Sequence, residues 1–265
     1  MNQLLYQLQV SKGMWRAGSL LVLLLCSSSL VGCLAQSENE TKFELIVEAS
    51  TMNGTVVESY SEGEQVSWSN VSIDFDFSKT TSKNSLVTFG IDLMDGSTPV
   101  TTDASTSSTV SIEFFEHGIY NITAYVVDAS NLQLNTSLEI QIDLRIDWIE
   151  SNTNEPQTLM YNPNPANGGV KPLFVVINST IENPTLLDGV GVGGRSVEIS
   201  WNIADEYNDV CQSKSSQVND GESVTWDTIH FSTYLAHELR INYEDGQDYI
   251  SVQQSVSILY SDDSS

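Results

Sequence analysis

The sequence predicts an all-β protein: two β-sandwiches in tandem after an N-terminal export signal. Three observations predict it. Short segments alternate apolar and polar residues, as in Val71-Ser72-Ile73-Asp74-Phe75-Asp76-Phe77 and Val197-Glu198-Ile199-Ser200-Trp201-Asn202-Ile203. Period two with β-branched and aromatic residues marks strands with one buried face. No stretch beyond the signal carries the pattern of an amphipathic helix. Finally, Leu138, Ile140, Ile142, Leu144, Ile146 and Trp148 alternate with Glu139, Gln141, Asp143, Arg145 and Asp147. That run exceeds an ordinary strand of about 5–6 residues. The simplest account is a closing strand of one sandwich that leads straight into the opening strand of a second. The boundary then falls near Leu144, with no flexible linker.

The N-terminus reads as export rather than fold. Lys12 and Arg16 precede the apolar Leu20–Leu25, the serines Ser27–Ser29, and Leu30-Val31-Gly32-Cys33. Positive, then apolar, then small is the order of a secretory signal. The apolar run from 17 to 35 barely meets the about 20 residues that a membrane-spanning helix needs. Leu30–Cys33 resembles the lipobox of prokaryotic lipoproteins. The resemblance implies that residues 1–32 are cleaved and that Cys33 is lipidated. The protein would then sit on the extracytoplasmic face of a cell membrane, at the outer surface or in the periplasm. The membrane becomes a partner through Cys33, and 33–41 is a polar tether. Its residues 34–41 reach about 26 Å when stretched. Met14 is a second candidate start.

The chain holds 35 acidic against 10 basic residues, a net charge of −25. Every carboxylate follows Cys33, while Lys12 and Arg16 precede it, so the mature part is more acidic still. Such a surface repels phosphates, which excludes nucleic acid as a partner. Cys26 lies in the signal and Cys33 at the lipid site, leaving Cys211 as the single cysteine of the mature fold. Cys211 reads as a small buried or loop residue, with nothing nearby in sequence to lower its pKa.

Residues 42–144 carry two motifs. Ile91-Asp92-Leu93-Met94-Asp95-Gly96-Ser97 is similar to the Trp-Asp-Phe-Gly-Asp-Gly signature of PKD domains. Gly118-Ile119-Tyr120-Asn121-Ile122-Thr123-Ala124-Tyr125-Val126-Val127-Asp128 matches that family's Gly-x-Tyr-x-Val-x-x-x-Val-x-Asp strand. Ile91 stands where the family has tryptophan, and Met94 where it has its first glycine. The resemblance implies an immunoglobulin-like sandwich that serves as a spacer or interaction module, with no catalytic residues to carry over. From the residues themselves, Asp95-Gly96 suits a tight turn needing positive φ. Tyr120, Ile122, Ala124 and Val126 share one strand face.

Residues 145–260 resemble no known family and read as a second sandwich, followed by an acidic tail, 261–265. Its expected strands are 157–161, 173–178, 196–203, 223–231, 235–243 and 249–259. Gly189, Gly191 and Gly194 have dinucleotide-fingerprint spacing, but a strand follows them where that motif needs a helix. No catalytic residue is identified. His117, His230 and His237 lack zinc-ligand spacing, and His237 shares an apolar face with Leu235, Leu239 and Ile241. The calcium candidates are Asp143 and Asp147 at the junction and Asp92 and Asp95 in a turn. No cofactor is expected unless these carboxylates hold calcium, and no other metal site is expected. Trp226 shares a face with Thr228 and His230, and two readings stay open for it: a packing residue at a sheet edge, or an exposed aromatic able to stack on a ligand. The function expected is a lipid-anchored, non-enzymatic display module for adhesion or scaffolding, with an envelope protein or glycan as partner. The alternative is a carbohydrate- or peptide-binding lipoprotein whose site lies in 145–260.

Overall fold

A single strand of 21 residues, Gln133–Thr153, runs through the centre of the fold. The computed structural model describes residues 42–185, 194–243 and 247–262. The signal 1–32, Cys33, the tether and Gly189 and Gly191 lie outside the described residues. The chain separates into Met1–Lys42 and Phe43–Ser265, and only the second unit is described here. Among the described residues there are sixteen strands and no helix.

Before the long strand come β1 (Glu48–Ala49), β2 (Asn53–Ser61), β3 (Glu64–Ser69) and β4 (Val71–Asp76). Then follow β5 (Leu86–Asp92), β6 (Val100–Asp103), β7 (Thr109–Phe114) and β8 (Gly118–Asp128). The long strand is β9. After it come β10 (Leu159–Tyr161), β11 (Phe174–Glu182), β12 (Val197–Asp205) and β13 (Val210–Val218). The last are β14 (Ser223–His230), β15 (His237–Tyr243) and β16 (Ile250–Leu259). They form an extended sheet β14-β11-β16-β9-β8-β5-β6, with β2 also on β9, and two smaller sheets, β1-β4-β7 and β10-β15-β12-β13. One core cluster of buried side chains runs through all of them.

The register explains why β9 is so long. Gln133–Ile142 pair antiparallel with β8, and Leu144–Thr153 pair antiparallel with β16. β2 runs parallel to its middle, Gln141–Ile149. The alternation foreseen in the sequence holds throughout: Ile140, Ile142, Leu144, Ile146 and Trp148 are all buried. The extended sheet therefore does not break at Leu144, where β8 gives way to β16 as the neighbour of β9. A buried carboxylate, Glu150, closes the run by accepting Trp148 Nε1–H at 2.8 Å and the Gln157 amide at 3.1 Å.

The two sequence motifs become turn and corner. Met94 N–H bonds the Asp92 carboxylate, and Ser97 N–H that of Asp95, both at 2.8 Å. Gly96 has φ 87°, and Met94 is itself left-handed at φ 58°. Where the PKD signature has glycine, a thioether side chain thus occupies the backbone region that glycine reaches freely. Tyr120 Oη donates to the Glu116 carbonyl at 2.8 Å, the geometry of the tyrosine corner of immunoglobulin-like sandwiches. At the end of β8, buried Asp128 accepts the Ser130 hydroxyl at 2.6 Å, Asn84 Nδ2 at 2.9 Å and the Leu132 amide at 3.0 Å. These bonds, Ser130 first and Asn84 next, push its pKa down to about 2.

Two expectations fail in the second half. β13 is an additional strand that the hydrophobic pattern does not show. Its inward positions Gln212, Lys214 and Ser216 are polar, yet they close the rim of the sandwich. Gln212 Nε2 donates to the Ile229 carbonyl at 3.0 Å, and Lys214 Nζ to the Thr225 carbonyl at 3.0 Å while lying over the Trp201 ring. Trp226 is not exposed: it retains 7% of its surface and tilts against Trp201 at 6.0 Å. The face of β14 that looks polar in sequence is the inner one. His230 finds a partner inside, and Ile229 is left outside.

Candidate binding groove and histidine–cysteine cluster

Two features stand apart from the packing. The first is a groove of about 810 Å³ where the turn before β8 meets the loop after β10; its walls include Met94, Asp95, Phe115, Glu116, Tyr120 and Asn167. Gly118 allows that meeting. A Cβ there would come within 2.8 Å of Asn167 Nδ2, which instead donates to the Ile119 carbonyl at 3.0 Å. His117 Nδ1 shares a 2.9 Å hydrogen bond with Tyr260 Oη, and the Tyr260 amide donates to Asp143 at 3.1 Å. The groove is thus walled by β7, the start of β8, the turn after β5 and the loop after β10, and His117 beside it is tied to Tyr260 and, through the Tyr260 amide, to Asp143 on β9.

Aromatic surface continues beyond the groove. Phe115, 47% exposed, stacks on Trp68, 46% exposed, with ring centroids 5.4 Å apart and planes 14° apart. Trp68 lies on β3, which pairs only with β2. Glu113, Glu116 and Asp95 ring the groove with acceptors. Burial first, then Glu116 and Asp95, push the Tyr120 phenol up to about 12. It therefore remains a neutral hydrogen-bonding group throughout the physiological range.

The second feature joins the two layers of the sandwich. His230 on β14 of the extended sheet places Nε2 2.9 Å from Nε2 of His237 on β15 of the smaller sheet. Both rings are buried and meet edge to face, centroids 4.4 Å apart. Cys211 completes a trio whose ligand atoms all lie within 4.8 Å of one another. A β-bulge brings it there. Ile203 pairs with Gln212 and Ala204 with Val210, so Cys211 is the extra residue. Bulges re-aim side chains in this way. Cys211 is exposed, not buried, and its thiol is pushed up by burial of the sulfur and by Asp205 and Asp209. Desolvation lowers both imidazoles, that of His230 to about 4, which keeps them neutral. Tyr161 stacks on His237 at 5.6 Å, and its phenol is buried without a hydrogen-bond partner.

The calcium candidates are not brought together. Asp143 accepts Gln141 and the Tyr260 amide, while Asp147 accepts Arg145 Nε at 3.1 Å and Ser255 Oγ at 3.2 Å. They lie four residues apart on β9, about 13 Å. Asp92 and Asp95 each cap their own turn. Sequence reasoning missed Cys211 as a neighbour of the histidines. The only available signal was the adjacent Asp205–Asp209 hairpin turn, and it does not specify a bulge.

No protein-family model and no curated protein matches the chain. Among solved structures it is similar to a carbohydrate-binding module of the beta-sandwich superfamily, at 10% identity over 82% of this chain and 96% of that one, TM-score 0.29. It is also similar to the fibronectin(III)-like modules of Clostridium thermocellum CbhA, at 13% identity over 81% and 93%, TM-score 0.26.

Proposed function

We propose that this chain is a non-catalytic binding module, held outside a cell membrane by lipidated Cys33, whose groove and Trp68–Phe115 stack take carbohydrate. The observation that carries the reading is that pair of half-exposed, stacked rings, each with an outer face free, beside an acceptor-lined groove. A sugar presents an apolar C–H face and a fringe of hydroxyls. The first suits an aromatic ring, and the second suits Glu113, Glu116, Asp95 and Asn167. Neutral sugar donors also tolerate the chain's strong negative charge, whereas acidic ligands are repelled. On this reading the contact surface lies mainly before Leu144, whereas the alternative sequence reading puts it in 145–260.

A glycan array probed with the full chain tests the reading. Neutral glycans are expected to bind, with at least a tenfold loss in Trp68→Ala and Phe115→Ala. An array on which no glycan binds reproducibly would leave the scaffold reading in its place. For the anchor, mass spectrometry of the mature N-terminus is expected to find acylated Cys33; an unmodified chain that retains 17–32 contradicts it.

A further inference from the structure

We propose that Cys211, His230 and His237 form a binding site for a zinc-class transition-metal ion, with one coordination position left open. The three come from β13, β14 and β15, and their donor atoms lie within 4.8 Å of one another. One thiolate and two imidazoles are the donors that zinc selects, and hard ions such as calcium do not. Tetrahedral zinc at about 2.05 Å from each nitrogen requires nitrogens about 3.3 Å apart. The two Nε2 atoms stand at 2.9 Å, so a slight rotation of either ring admits the ion.

Independent features of the pocket point the same way. The facing Nε2 atoms form at most one hydrogen bond between them, although both carry a lone pair when the proton sits on Nδ1. Nδ1 of His237 is buried with the Leu235 backbone beside it to take its proton, the arrangement that turns Nε2 toward a metal. Tyr161, 3% exposed, stacks over His237, and its phenol is buried without a hydrogen-bond partner among the described residues. An unpartnered buried phenol beside a ligating ring is a group that a fourth, exogenous ligand could hydrogen-bond. Exposure of Cys211 gives the ion a route in.

The protons balance. Cys211 gives up its S–H proton to solvent and binds as thiolate. The proton shared between the imidazoles passes to an Nδ1, freeing both Nε2 lone pairs. Because His230 belongs to one sheet and His237 and Cys211 to the other, the ion ties the two layers together.

Cobalt(II) titration of the chelator-treated full chain tests this. One equivalent is expected to raise a thiolate-to-cobalt charge-transfer band and the visible bands of a tetrahedral site, both abolished by added zinc. Zinc is also expected to raise the Tm of the wild type. Cys211→Ser alters an exposed position, so it should fold while losing the charge-transfer band, the zinc-dependent rise in Tm and at least tenfold in affinity. His230→Asn should lose visible tetrahedral absorption. No charge-transfer band at saturating cobalt, or zinc bound as tightly by Cys211→Ser as by the wild type, would overturn the site.

Discussion

The halves of the fold before and after Leu144 differ in how far apart along the chain their defining contacts lie. In the first half the motif contacts are local, with Asp95 meeting Ser97, Asp128 meeting Ser130 and Leu132, and Tyr120 meeting Glu116, all within four residues; Asn84, 44 residues from Asp128, is the long-range addition at that corner. In the second, Trp201 Nε1 donates to Ser179 Oγ at 2.8 Å across 22 residues, and Gln254 Nε2 reaches the same hydroxyl across 75. The difference teaches where specificity is written. Short-range contacts leave a motif in the sequence; contacts across sheets leave only scattered polar residues in an apolar pattern.

Breaking the long-range knot should have the largest effect. Trp201→Ala removes a fully buried indole and leaves Ser179 and Lys214 short of a partner. The expected cost is about 3–5 kcal/mol by urea denaturation. Since β9 pairs with both halves, circular dichroism and tryptophan fluorescence should report one coincident transition. Two separated transitions would show that the halves unfold independently despite their shared strand.

The short-range half should respond chiefly through pH. The Asp128 pKa is depressed in the folded state, so its stabilisation is complete above about pH 4 and is lost as the pH falls through about 2. Asp128→Asn is expected to lower the Tm by several degrees at neutral pH and to flatten the pH dependence across that window. An unchanged acid limb would mean that the carboxylate is dispensable to the corner. Met94→Gly should act in the opposite direction and more weakly. It restores a residue free to adopt the left-handed backbone at a 65% exposed position, for a gain of up to about 1 kcal/mol. Smallest of all is Trp68→Ala, expected to change stability by less than about 0.5 kcal/mol because the ring packs mainly on exposed Phe115.

Much of the fold was legible because alternation records a buried face directly. Ile73, Phe75, Ile122, Val126, Ile199 and Trp201 are core residues in both the sequence pattern and the structure. The continuity of alternation across Leu144 likewise appears as an unbroken β9. β13 was hidden because its inward side chains are glutamine, lysine and serine, which cap the core with hydrogen bonds instead of filling it. Trp226 stayed ambiguous for the same reason: polar neighbours on a strand signal solvent only when they have no buried partner, and the structure takes the packing reading over the exposed one. Neither the groove nor the Cys211–His230–His237 cluster could be foreseen. Each depends on a close approach, Gly118 to Asn167 in one and a one-residue bulge in the other, that no periodicity encodes.

The most direct test of the binding account is chemical-shift mapping on the isotopically labelled soluble chain, titrated with the neutral oligosaccharide that ranks highest on a glycan array. The account predicts saturable shifts at Trp68, Phe115, Glu116 and Asn167, lost in Trp68→Ala, with the amides of β12 and β13 unmoved. Shifts confined to residues 145–260 away from Asn167, or none at millimolar sugar, would contradict it.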